Sequence, residues 1–120
     1  MNKEEFHDFL KLIRRMISLQ QYPIKGDKKT LARVIAIELN IDNQLQRYTS
    51  SQEQFYPWQI QFMKTLMECR AAQQKYWAQQ ISYNLHLAKT AANKLNTKLE
   101  WVENQLPDLI TPKVSQATLL

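Results

Sequence analysis

This sequence has one glycine, one cysteine and four prolines in 120 residues. A single glycine excludes nucleotide-binding turns, tight hairpins and most sheet architectures, which depend on glycine at positive φ. A single cysteine excludes an internal disulfide framework and any multi-cysteine zinc site. Long uncharged apolar runs are missing as well, which excludes a transmembrane helix. The first ten residues carry Glu4, Glu5 and Asp8 where a secretory signal has a basic start and an apolar stretch. The expectation is therefore a soluble, cytoplasmic, all-α domain with no membrane partner.

What the chain does contain is helical periodicity. Phe6, Phe9, Leu10, Ile13, Met16 and Ile17 recur three and four apart, predicting an amphipathic helix from Lys3 to about Gln21. Tyr22-Pro23 ends it, because the residue before a proline is pushed out of the α region. Ile24-Lys25-Gly26-Asp27 reads as a loop, with Asp27 capping a second helix that runs to about Tyr48. Leu31, Val34, Ile35, Ile41, Leu45 and Tyr48 form its expected buried side. Ile37 and Leu39 lie off that stripe, as on a helix central in a bundle. Thr49 to Tyr56 is polar and reads as a connection.

Pro57 suits the first turn of a third helix. No proline or glycine follows until Leu106, and one straight helix of that span is about 75 Å long. Ile81, Leu85, Ala88, Ala92, Leu95, Leu99, Val102 and Leu106 alternate spacings of four and three, the seam of a coiled coil or helix hairpin. Helices this long are uncommon in small domains, so a bend or break is expected. The candidate places are Arg70–Lys75, where the seam weakens, and Asn93–Thr97, where helix propensity drops. The expected fold is a small all-α bundle of three to four helices whose long third helix is bent or broken. It occupies residues 1–106. Pro107 is expected to stop the last helix, leaving 107–120 as an extended or disordered tail.

Charge is unevenly distributed. Lys11, Arg14, Arg15, Lys25, Lys28, Lys29 and Arg33 face only Asp27 between residues 11 and 33, whereas the rest of the chain is close to neutral. Lys28 and Lys29 open the second helix, where the macrodipole prefers an anion, and a ligand phosphate there offsets that conflict. This pattern predicts a phosphate-backbone site, the arginines acting as forked donors and the lysines as point charges. A solvated face that only keeps the protein soluble is the bland alternative. The polar side of the long helix (Gln73, Gln79, Gln80, Ser82, Asn84, His86, Lys89, Asn93, Lys94, Asn96 and Lys98) has no acid between Glu68 and Glu100. Lys89 and Lys94 would extend the track along a strand, and Tyr76, Trp77 and Tyr83 offer rings for stacking, although core packing is the commoner use of such aromatics.

Catalytic and metal signatures are sparse. Glu4 and His7 have the Glu-x-x-His spacing, but a carboxylate-bridged metal pair needs a second copy, and Tyr83 stands three before His86. Cys69 sits on an apolar side between Leu66 and Tyr76, as a buried structural thiol does. No serine lies in a nucleophile-elbow context. The expectation is a non-enzymatic protein without cofactor or metal.

Two function classes remain. The first is a helical subunit that binds nucleic acid, DNA or RNA, by its phosphate backbone within a larger nucleoprotein assembly. In size, helicity and charge, though in no diagnostic motif, the chain is similar to replication accessory factors and to small subunits of CRISPR effector complexes. The second is an adaptor, chaperone or inhibitor that meets a protein partner, or its own copy, along Leu95, Leu99, Val102 and Leu106.

Overall fold

The computed structural model describes residues 3–20, 27–51 and 55–110, without the side chains of Lys3 and of residues 106–110. Four helices follow one another: α1 (Lys3–Leu19), α2 (Lys28–Ser50), α3 (Pro57–Ala78) and α4 (Ser82–Ile110). Each packs beside its neighbour in sequence, and α1 also lies against α4, which closes the ring. Tyr48 meets Phe9 at one end of α2 and Glu38 meets Gln20 toward the other, so α1 and α2 are antiparallel. The turn at 79–81 with Lys94 near Glu68 sets α4 antiparallel to α3, and Arg14 reaching Asn96 places α1 beside α4. The result is an up-down-up-down four-helix bundle, an arrangement that short connections favour.

The core of this bundle is aromatic at one end and polar at the other. Phe6, Phe9, Leu10, Ile13 and Met16 are buried, as the stripe on α1 predicts. Phe6 packs edge-on against Trp58 and Phe62, with centroids 5.5 and 6.4 Å away, and Tyr48 bridges Phe9 and Phe55. Each large apolar side chain removed from water contributes about 1.5–3 kcal/mol. Toward the other end, Arg70, Glu38 and Gln73 are buried together. The Arg70 guanidinium forks onto Asp42, Nε to Oδ1 at 2.8 Å and Nη2 to Oδ2 at 3.0 Å, and it also donates to Gln73 Oε1. Gln20 Nε2 donates to Glu38 Oε2 at 2.7 Å, and Gln73 Nε2 donates to Gln20 Oε1 at 2.9 Å. Three helices are thereby joined through polar groups that leave one another few unpaired atoms.

The 57–106 stretch is two helices and not one. Its break falls at Gln79–Ile81, outside both places expected from the sequence. Gln79 is extended, at φ −146° and ψ 98°. The buried Asn84 side chain donates to the Gln79 carbonyl at 2.9 Å and so satisfies a group that the helix end leaves open. Folding back lets the stripe of α3 (Phe62, Leu66, Cys69) face that of α4 (Leu95, Leu99, Val102) inside one core.

Other boundaries follow the local rules more closely. Asp27 Oδ1 accepts the Thr30 N–H at 2.8 Å, the N-cap expected of it. Pro57 opens α3, and Gln59 Oε1 accepts the Tyr56 N–H at 2.9 Å. Pro107 does not stop α4, which continues to Ile110. A proline so near a helix end forfeits one backbone bond with only three residues still to follow. The loop at Tyr22–Gly26 and the tail from residue 111 lie outside the described residues.

Candidate functional site

The first two helices place the basic residues, and they divide them. Arg15 of α1 and Arg33 of α2 are exposed and line one shallow groove of about 310 Å³ with Leu12, Ala36, Ile37 and Asn40. Lys28 and Lys29, also exposed, occupy the first turn of α2. Among the described residues none of Arg15, Lys28, Lys29 and Arg33 forms an ion pair within the distance of a salt bridge. Asp27 beside them is held below the usual carboxylate range, first by the Thr30 N–H that it accepts and, more weakly, by the charge of Arg33. Its carboxylate already serves the N-terminus of α2, so the macrodipole there has its anion.

The two acids of α2 are turned the other way. Glu38 is buried and Asp42 is held in the fork of Arg70, with Gln74 Nε2 also donating to Asp42 Oδ2 at 3.1 Å. Glu38 Oε2 lies 3.4 Å from Arg70 Nη1. The two carboxylates of α2 are spent on Arg70, and Arg15, Lys28, Lys29 and Arg33 keep their charge without a salt-bridge partner among the described residues. Composition and charge counts along the chain do not reveal this pairing. Arg70 and Gln73 sit on one helix at i and i+3, and Glu38 and Asp42 on another at i and i+4, which is the signal that could have found it.

Several expected contributors stand elsewhere. Arg14, half-buried, donates to Asn96 Oδ1 at 2.6 Å and pairs with Glu103, so it fastens α1 to α4 and is not a free phosphate donor. Lys11 shares its stretch of surface with Glu4, His7 and Asp8. Lys25 lies outside the described residues. Lys89 and Lys94 are exposed on α4, across the ring from α2, and Lys94 has Glu68 at 3.9 Å. They do not extend the α1–α2 edge. The acid-free polar side is not a single surface either, because Gln73 and Asn84 are buried and the chain turns between them.

The seam expected to meet a partner is filled by the chain itself. Leu95, Leu99 and Val102 have no exposed surface and belong to the same core as Phe6, Ile13 and Phe62. Leu106 has no described side chain. On α2 the buried stripe uses Ile37 instead of Ile35, which is 50% exposed, because Ile37 continues the line of Val34, Ile41 and Leu45. Among the suggested stacking rings, Tyr76 is buried and Trp77 half-buried, and only Tyr83 stands in the open, at 64% exposure.

Cys69 is buried, and that burial pushes its thiol up to about 12, well above the reach of nucleophilic chemistry near neutral pH. Among the described residues no three His, Cys, Asp or Glu side chains gather where a metal ion could bind, and no helix is long and apolar enough to cross a membrane. Comparison with protein-family models, with curated proteins and with solved structures returns no match for this chain.

Proposed function

We propose that this protein is a non-enzymatic binding protein that holds the phosphate backbone of a nucleic acid along its α1–α2 edge. Arg15 and Arg33 act there as forked donors on the two sides of one groove, and Lys28 and Lys29 add point charges at its end. One observation carries this reading. The edge keeps four exposed cations without salt-bridge partners among the described residues, while Glu38 and Asp42, the two acids of α2, are taken up by Arg70. Contacts of this kind give affinity and salt dependence without sequence readout.

Binding of a labelled duplex and a labelled single strand at two salt concentrations tests this. Four phosphate contacts predict a slope of log affinity on log salt of about −3 to −4. A variant with Arg15, Lys28, Lys29 and Arg33 all changed to Gln should lose most of that slope while its helical circular dichroism is unchanged. Equal binding by parent and variant overturns the assignment.

A protein partner is the second reading, and its surface is no longer the α4 seam. The observation in its favour is an open groove of about 380 Å³ between α2 and α3, lined by Tyr48, Phe55, Ile60, Met63 and Met67 with Lys64 at its rim. Ile60→Glu, which leaves the basic edge intact, separates this reading from the first.

A further inference from the structure

The outer face of α4 carries two large aromatic side chains that the core does not use. Tyr83 is 64% exposed and Trp101 46%. Eighteen residues separate them, five full turns at 3.6 residues each, so they stand on one line of the helix about 27 Å apart. Thr90, Lys94, Thr97 and Lys98 occupy the same side between them. Lys94, Thr97, Lys98 and Trp101 line a shallow hollow of about 420 Å³, and Lys98 Nζ lies 5.8 Å from the centre of the Trp101 ring.

Between Tyr83 and Trp101 the only acid of α4 is Glu100, and among the described side chains neither it nor Glu103 joins this face. Glu103 pairs with Arg14, and Glu100 Oε1 accepts from Asn96, the residue that Arg14 also holds, so these two acids serve the side that faces α1. Among the described residues the carboxylate near these lysines is Glu68 of α3, at 3.9 Å from Lys94, a distance at which an exposed pair contributes little. Exposed rings interleaved with lysines suit a single-stranded nucleic acid. Each base presents a π-face to an aromatic ring while the phosphates meet the ammonium groups. A duplex offers its bases to no such ring, because they are stacked and paired inside the helix.

We propose that Tyr83 and Trp101 stack unpaired nucleobases, with Lys94 and Lys98 holding the intervening phosphates, and that the ligand is therefore single-stranded. This rests on the reading that the ligand is a nucleic acid, and it adds a second binding face to the α1–α2 edge. At the 3.4 Å rise of a stacked strand the two rings span about eight nucleotides, and fewer if the strand is extended.

The test uses the full chain, a fluorescein-labelled oligothymidylate of twenty nucleotides and a duplex of the same length. Tyr83→Ala with Trp101→Ala should weaken single-strand binding about tenfold or more, leave duplex binding unchanged and leave the salt slope unchanged, since no charge is removed. Tryptophan emission of the parent should be quenched by the oligonucleotide, and Trp101→Ala should remove that quenching. Unaltered single-strand affinity in the double variant, or quenching that survives Trp101→Ala, overturns the stacking assignment. The quadruple Gln variant of the α1–α2 edge separates the two readings. If it alone weakens binding, stacking fails and the backbone site stands; if the aromatic variant alone does so, the reverse holds. Trp101-dependent binding to phosphatidylserine vesicles with none to the oligonucleotide overturns it in favour of a membrane surface.

Discussion

Arg14 and Glu103 meet across the α1–α4 seam, where the guanidinium also holds Asn96, while the adjacent Arg15 points to solvent beside Arg33. Neighbouring arginines thus have separate duties. Arg14→Gln should leave nucleic-acid affinity within about twofold of the parent. Its cost in stability should stay under about 1 kcal/mol, since both partners are more than a third or nearly a third exposed and solvent screens the pair. Arg15→Gln should show the opposite pattern, with weaker binding and unchanged melting. Anisotropy titration and thermal melting of the two variants decide between these duties.

Arg70 is the centre of the buried polar group, and removing it strands two acids. Arg70→Met should destabilise the protein by about 3–5 kcal/mol, because Glu38 stays buried and Asp42 loses its forked partner. Replacing Glu38, Asp42 and Arg70 together by apolar residues of similar volume should recover much of that loss. Urea unfolding of the single and triple variants measures both, and equal instability of the two would mean that the charges themselves hold the helices together.

Leu99 tests whether the α4 seam is internal. Leu99→Ala should cost about 2–5 kcal/mol and leave the mass on a calibrated column unchanged. Leu99→Asp should unfold the chain. A folded Leu99→Asp protein that differed only in its mass would return the seam to an interface between chains.

Cys69 should resist thiol reagents in the native state near neutral pH and react fully once unfolded, as titration with a chromogenic disulfide will show. Its thiol is raised in the fold from the ordinary value of 9.0 to about 12, so the folded state keeps the proton that the unfolded chain gives up first. The stability from this protonated thiol is complete below about pH 9 and is withdrawn as pH climbs from 9 towards 12. Cys69→Ala should therefore flatten the alkaline arm of the stability curve.

The parts legible in the sequence were those decided by nearest neighbours along the chain. The Phe6–Met16 stripe, the Asp27 cap and the Pro57 start each follow from a rule that acts within one or two turns. The break at Gln79–Ile81 escaped because no glycine or proline marks it. Its marker is Asn84, a residue that competes for backbone partners, and that residue reads equally well as one more outward amide. The α4 seam holds as a stripe at Ala88, Leu95, Leu99 and Val102 but not at Ile81, which lies in the break and is exposed. Periodicity is blind to whether its partner is another chain or α1 and α3 of the same one. The basic corner is legible as a cluster of charge. Which of its members stay free depended on Glu103 and Asn96, more than eighty residues away, and no local pattern carries that.

Because α1 lies against α4, the ring has a direction in time. During synthesis Phe6, Phe9, Ile13 and Met16 leave the ribosome long before Leu95, Leu99 and Val102, the side chains that cover the same core. At about 5–20 residues per second, making the 29 residues of α4 takes roughly 1.5–6 s. Throughout that interval Phe6, Phe9, Ile13 and Met16 lack the α4 side chains that complete their core. The exposure of the nascent chain to chaperones and to aggregation is set by the pace at which the ribosome delivers the fourth helix.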